Sequence, residues 1–330
     1  MSELRHDPIS QRWVIIAPAR ASRPTDFGGT SSSRPRAPRC PFCPGNEDDT
    51  PPPVAVTGPE MQGESPHAPW LVRVVPNKYP AVGPEISARF SAGPRPALPA
   101  QGIHEVIVET PLHDRPLTMM SDPEVTAVAM AYRSRVADAA SAPFARSVML
   151  FKNHGADAGA SLAHPHAQLI SLPIVPELLA TELRGTAAYH AANGVCPYCA
   201  AAAASPDLLV AENELFLAYC PWVSRVPYEV WLQPRRHDPD FAAMTEHEPA
   251  ALGRLLRDVL IRIGSALQTP AYNYFLHTAP VHGQAHPTYH WHLEILPRLC
   301  RFAGFEWGSG FSMNHVPPEL AAERLRAVST

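Results

Sequence analysis

The apolar and polar positions of this chain fall into one pattern that occurs twice. β-type runs at 71–75 and 105–109 lead to Ser121-Asp-Pro-Glu124, a capping box with proline in its first turn. Beyond it Val125, Val128, Tyr132 and Val136 recur at helical spacing, which predicts an amphipathic helix. A β-type run at 147–151, a Gly/Ala turn and a strand over 162–171 complete the unit. The second half repeats the order: β-type runs at 215–219 and 228–233, the capping box Thr245-Glu-His-Glu248, and a helix carrying Leu252, Leu255, Leu256, Val259 and Ile263. A β-type run at 272–277, a His/Gly/Pro turn and a strand over 289–295 follow. Ser121 to His164 spans 43 residues and Thr245 to His290 spans 45, each from a capping residue to the first histidine of a His-x-His pair. Two copies of one supersecondary unit account for this spacing.

Hairpin-like strands with a single long helix per copy predict an α+β fold, each unit an antiparallel sheet with a helix packed on one face. With 39 prolines against 18 glycines, an all-α architecture is excluded. The stretches at 22–39 and 84–101, rich in Pro, Arg, Ser and Gly, are expected to be loops. An apolar fraction of 45% fills a core, and a formal net charge of −4 gives no footprint for nucleic acid. The first ten residues hold no apolar signal core, and the chain has no run of about 18 uncharged apolar residues. A soluble, cytoplasmic protein with no nucleic-acid or membrane partner is the expectation.

Four of the six cysteines form two CxxC pairs, Cys40/Cys43 and Cys196/Cys199, each in what reads as a proline-rich turn. Turns of this kind suit zinc better than redox chemistry, because a two-residue spacer lets both thiolates face one tetrahedral ion. Cys220 and Cys300 read as small core residues. On the strand over 162–171, period-two alternation sends His164, His166 and Gln168 to one face. One histidine can complete a zinc site while its neighbour two residues on keeps a free imidazole. The repeat supplies the remaining ligands: His113 and His237 each follow a strand and precede a capping box. Two closed, structural sites result, Cys40, Cys43, His113 and His164, and Cys196, Cys199, His237 and His290, holding two zinc ions per chain.

His164-Pro-His166-Ala-Gln168, the turn from Asn153 through Gly155 and Gly159 to Ser161, and Val75-Pro-Asn77-Lys-Tyr79 together resemble the histidine-triad superfamily. More narrowly, the chain resembles its nucleotidylyltransferase branch, the galactose-1-phosphate uridylyltransferase family with the related ADP-glucose phosphorylases. The likeness runs from the strand at Trp13 and from Arg20-Ala-Ser-Arg23-Pro24 to the last helix. It implies two tandem histidine-triad-like halves, a catalytic one over 1–190 and a degenerate one over 191–330 with structural and sugar-phosphate-binding duties. It also implies double displacement: His166 attacks the α-phosphorus of a nucleotide sugar, UDP-glucose or ADP-glucose, and hexose 1-phosphate leaves. A second acceptor, hexose 1-phosphate or inorganic phosphate, then takes the nucleotide from the histidine. Gln168 would donate to a phosphoryl oxygen, and Ser161 with Gly155 and Gly159 would let the backbone approach the phosphates. Arg20, Arg23, Asn77 and Asn153 match positions that hold base, ribose or phosphate, while His292 and Glu306 match the sugar-phosphate side. A homodimer is implied as well. His292-Leu-Glu294 replaces His166-Ala-Gln168 in the second copy, placing a carboxylate where it would repel phosphate. The stretch from Trp307 to Asn314 and the Cys196/Cys199 pair look more like ADP-glucose phosphorylase; the leading expectation is transfer between a nucleotide sugar and hexose 1-phosphate, with a phosphorylase using inorganic phosphate and a non-catalytic zinc-stabilised nucleotide-binding protein as the alternatives.

Overall fold

The computed structural model describes residues 2–18, 39–58, 70–84 and 98–329, the side chains of 202–204 excepted. Most of the two expected loops, 22–38 and 85–97, lies outside the described residues, as do Arg20 and Arg23. In chain order the elements are β1 (Glu3–His6), β2 (Trp13–Ile16), β3 (Ala55–Thr57), β4 (Val72–Pro76), β5 (His104–Val108), α1 (Asp122–Ser141), β6 (Ser147–His154), β7 (His166–Leu172) and α2 (Glu177–Asn193). They continue with α3 (Pro197–Ala204), β8 (Leu209–Glu212), β9 (Phe216–Tyr219), β10 (Val230–Pro234), α4 (Glu248–Leu267), β11 (Tyr272–His277), β12 (His292–Pro297), α5 (Gly304–Ser309), β13 (Ser312–Asn314) and α6 (Pro318–Arg326).

Ten strands form one sheet in the order β3-β4-β5-β7-β6-β11-β12-β10-β9-β8, every neighbouring pair antiparallel. Read inward from either edge, the strands follow the same chain order, so the sequence repeat is a pseudo-twofold of the fold. The halves meet where β6 pairs with β11, from Phe151 opposite Phe275 to His154 opposite Tyr272. A small second sheet, β1-β2-β13, ties the two ends of the chain together, with β13 parallel to β2.

The capping box predicted for α1 forms at Ser121 and Glu124, whereas α4 begins only at Glu248, with His247 rather than Thr245 before it and no side-chain cap. Glu124 accepts from the Ser121 N–H at 2.7 Å and Glu248 from the Thr245 N–H at 2.5 Å, satisfying donors that a helix start leaves orphaned. The predicted stripes of both helices are buried on one face of the sheet against Ile107, Leu150, Ala167, Leu169 and Leu293. Because side chains alternate along β7, burying Ala167 and Leu169 there turns His166 and Gln168 to the opposite face, beside a smaller cluster that includes Cys40, Phe42, Val106 and Val108. One polar knot crosses the seam between the halves under α1: Lys152 of β6 pairs with the buried Glu109, whose Oε1 also accepts from Tyr132 at 2.5 Å, and Tyr132 meets Tyr274 of β11 at 2.5 Å.

Gly253 lets α4 approach α1 closely; a Cβ built there would lie 2.5 Å from the Val125 carbonyl oxygen. Gly253→Ala must therefore push two helix backbones apart. It is expected to lower stability by about 1–3 kcal/mol, the usual range for overpacking, although alanine is the better helix former. Urea denaturation checks this, and an unchanged or raised midpoint would refute it.

Three local expectations need correction. The strand expected over 162–171 begins only at His166, because residues 162–165 form a turn that carries His164. Cys196 and Cys199 do not lie in a simple turn: Cys196 caps α3 and Pro197 opens it. And α2 adds a second long helix to the first half, running through position 190. Its buried positions are Leu179, Glu182, Gly185 and Thr186, of which only Leu179 is a large apolar residue, too few to read as a stripe. Gly185 is there for contact, since a Cβ would fall 1.9 Å from the Ile9 carbonyl oxygen.

Candidate active site

His166 is the first residue of β7 and almost fully buried at 7% exposure, with Phe42 of the cysteine turn 5.3 Å from its ring. Its Nδ1 lies 2.8 Å from the His164 carbonyl oxygen. A carbonyl only accepts, so the neutral ring carries its proton on Nδ1 and keeps the Nε2 lone pair free. Burial, with the Lys152 charge behind the strand, holds this imidazole below the ordinary histidine range despite the carbonyl bond. The ring is thus unprotonated and fixed in orientation, an arrangement in which Nε2 could act as a nucleophile.

Gln168 follows on the same face. Its Oε1 receives His104 Nε2 at 3.0 Å and Asn77 Nδ2 at 3.4 Å. Asn153, on β6, has its Oδ1 held by Asn273 of β11 at 2.8 Å, and the same amide donates to the Ala158 carbonyl at 2.9 Å. The second half therefore anchors the turn that carries Gly155 and Gly159. Both glycines adopt left-handed backbone, φ +83° and +85°, and Gly155 presses on Ala271 while Gly159 faces open space. Ser161 is exposed in the turn before β7. Glu306 lies apart on α5, where its Oε2 accepts from the Ala303 N–H at 3.0 Å. His104 and Asn273 escaped sequence reasoning; the signal for His104 is its place at the start of the strand that pairs with β7.

The structure brings together both expected metal sets, Cys40, Cys43, His113 and His164, and Cys196, Cys199, His237 and His290, with the four ligand atoms of each within 4.8 Å of one another. Thiolate-to-imidazole distances run from 3.3 to 3.7 Å. Tetrahedral zinc, with bonds of about 2.3 Å to sulfur and 2.0–2.1 Å to nitrogen, requires edges of about 3.5 Å. The hydrogen bonds behind the ligands agree: Nε2 of His164, His237 and His290 donates to the carbonyls of Thr110, Pro287 and Pro234, at 2.7, 2.8 and 3.0 Å, leaving Nδ1 available to an ion. Both sets fit zinc with no position left open, so an ion held there would contribute to structure.

Residues 74–176 match the family described as galactose-1-phosphate uridyl transferase, N-terminal domain. A galactose-1-phosphate uridylyltransferase of Thermotoga maritima is 27% identical over 99% of this chain and 98% of its own. The solved structure of an ADP-glucose phosphorylase from Arabidopsis thaliana with bound ADP-glucose superposes with a TM-score of 0.88, at 33% identity and full coverage of both chains. By sequence, an Arabidopsis thaliana ADP-glucose phosphorylase is 36% identical over 99% of this chain and 93% of its own. The chain belongs to the galactose-1-phosphate uridylyltransferase family.

Within this nucleotidyltransferase family fold, the second copy of the site is closed. His292 begins β12 as His166 begins β7, and its Nδ1 donates to the His290 carbonyl at 3.1 Å. There the likeness ends. Trp231 stacks on the ring at 4.7 Å and 22°, Tyr198 covers it at 4.8 Å, and its exposure is 0%. Nε2 faces Glu294 at 3.3 Å, and Glu294 is held ionised against burial by Arg225 and His277. Expected among the substrate-binding residues, His292 instead lies in the interior under two aromatic rings. Together with Glu182 and His277 the pair forms a third group of ligand-type side chains, all buried. Two carboxylates and two imidazoles could hold a divalent cation, and the group is already tied by Arg225 on Glu294 and by Tyr289, which donates to Glu182 at 3.0 Å. No helix among the described residues is long and apolar enough to cross a membrane.

Proposed function

We propose that this protein moves the nucleotidyl group of a nucleoside diphosphate sugar, of the ADP-glucose type, to inorganic phosphate through a covalent nucleotidyl-His166. The observation that carries the reading is a buried imidazole with its proton fixed on Nδ1, beside a Gln168 whose N–H2 has no acceptor among the described residues. In the first displacement His166 Nε2 bonds to the α-phosphorus and the bond to the hexose 1-phosphate oxygen breaks. In the second, a phosphate oxygen attacks the same phosphorus, the N–P bond breaks, and nucleoside diphosphate departs with the ring neutral again. Gln168 Nε2–H2 donates to a non-bridging oxygen as charge gathers there. Asn77, Asn153, Gly155, Gly159 and Ser161 border the same face and take the nucleotide, with Arg20 and Arg23. Glu306 takes sugar hydroxyls. The two zinc ions are structural. A homodimer and a cytoplasmic location go with this reading, and sedimentation of the purified protein tests the first.

Phosphate is preferred as acceptor because the 36% relative is an ADP-glucose phosphorylase, whereas the uridylyltransferase relative shares 27%. The match of residues 74–176 to the uridyl transferase domain favours the second reading, transfer from UDP-glucose to hexose 1-phosphate. Incubation with ADP-glucose or UDP-glucose, each labelled in the α-phosphate, should leave acid-labile label on protein from ADP-glucose. Phosphate should then release it as ADP. Labelling from UDP-glucose discharged only by a hexose 1-phosphate selects the second reading, and no label from either donor refutes both.

A further inference from the structure

Gln168 suits a phosphoryl group in one orientation only. Its Nε2–H2 donates to a non-bridging oxygen, whereas a half-turn about the last side-chain bond presents Oε1 and repels it. The two orientations have nearly the same shape, so packing cannot choose between them and hydrogen bonds must.

The choice begins at two backbone N–H groups, which can only donate. Ala81 N–H donates to His104 Nδ1 at 3.0 Å, so the neutral ring carries its proton on Nε2 and directs it at Gln168 Oε1, 3.0 Å away. Tyr79 N–H donates to Asn77 Oδ1 at 2.8 Å, which turns Asn77 Nδ2 to the same Gln168 oxygen. The reverse assignment, Asn77 donating to His104 Nε2 across 3.0 Å, would need a proton on Nδ1 pointing at the Ala81 N–H. The 3.0 Å is instead the gap between two donors converging on one acceptor. Oε1 is engaged twice, and among the described residues nothing accepts from Gln168 Nε2.

The turn that supplies both N–H groups is itself fixed to β5. Asn77 N–H donates to the His104 carbonyl at 2.8 Å, and Gly102 N–H to the Gly83 carbonyl at 2.8 Å. In register Val106 faces Gln168 and His104 faces Ile170, so His104 and Gln168 meet on the diagonal, within reach of long side chains.

We propose that His104 is a positioning residue that locks the Gln168 amide with its N–H2 toward the phosphoryl oxygens. The proposal rests on the nucleotidyl-transfer reading. Without His104 the amide is free to turn, and a large share of molecules present an oxygen to the phosphate.

The test compares single-turnover labelling by ADP-glucose in the full-length zinc-bound protein and its variants. His104→Ala should slow formation of the nucleotidyl protein on the order of 10–100-fold, less than loss of a whole oxyanion donor, about 10²–10³, with little change in nucleotide-sugar affinity. His104→Gln, which can donate to the same oxygen, should recover most of that rate. In a Gln168→Ala background, His104→Ala should cost nothing further, since a residue acting through Gln168 has nothing left to position. Additive losses in the double variant, or wild-type labelling by His104→Ala, would overturn the proposal. Long-range proton–nitrogen spectra of the unliganded protein should show His104 as the Nε2–H tautomer; a proton on Nδ1 would also overturn it. If the wild type takes no label, the transfer reading fails, and the spectra still decide the hydrogen-bond arrangement by themselves.

Discussion

Replacing His166 with asparagine is expected to reduce nucleotidyl transfer by a factor on the order of 10⁴ or more, the scale on which loss of a covalent nucleophile acts, while the fold and zinc content persist. Asparagine can still reach the His164 carbonyl with its amide, yet it offers no lone pair of comparable nucleophilicity to the α-phosphorus. His292→Asn is the matched control. It removes a histidine with the same backbone hydrogen bond, but from a ring at 0% exposure under Trp231 and Tyr198. That change should cost stability, by about 1–3 kcal/mol as for a lost buried hydrogen bond, and leave the label on His166. Peptide mapping after labelling settles the matter. Label found on His292, or equal loss of labelling in the two variants, would refute the assignment of roles to the halves.

Much of this was legible in the sequence because repetition makes weak signals strong. One capping box or one His-x-His pair says little, but their recurrence at matched spacing gave the two helices, the strand pairs of the central sheet and both metal sets. His113 and His237 were found by position within the repeat, and the structure places each beside its cysteine pair. What stayed hidden lacks periodicity or depends on pairing across the sheet. The α2 helix buries one leucine beside a carboxylate, a glycine and a threonine, too little for an apolar stripe. His104 acts on a residue 64 positions away through strand register, which the order of residues does not state. Closure of the second site was half visible. The sequence shows Glu294 as hostile to phosphate, but the seal depends on Trp231, whose counterpart in the repeat is Val106: Trp231 faces Glu294 as Val106 faces Gln168. A valine there leaves room over the strand, and an indole fills it.

Removal of the first zinc ion should be more damaging to nucleotidyl transfer than removal of the second, because one of its ligands also orients His166. Cys40 and Cys43 come from a turn, His113 from the loop after β5, and His164 from the turn before β7, so one ion held there would clamp three segments distant in sequence. The clamp also bears on the nucleophile. His164 would bind the ion through its ring Nδ1, while its carbonyl oxygen holds the His166 proton. Structural zinc is worth about 10–16 kcal/mol in isolated finger peptides. Even part of that rivals the 5–15 kcal/mol by which a typical domain is stable. Cys43→Ser is therefore expected to lose one of two zinc ions, to melt far below the wild type, and to form little nucleotidyl-His166 even where it remains folded. Cys199→Ser, with its ion between α3, the loop after β10 and the turn before β12, should also lose one ion and stability. Its folded fraction should still take label, because no ligand of the second site carries the bond that fixes His166. Elemental analysis alongside labelling of the folded fraction distinguishes the two variants. A folded, fully active wild-type preparation without zinc would overturn the clamp, and unimpaired labelling of folded Cys43→Ser would show that the ion stabilises the fold without orienting the nucleophile.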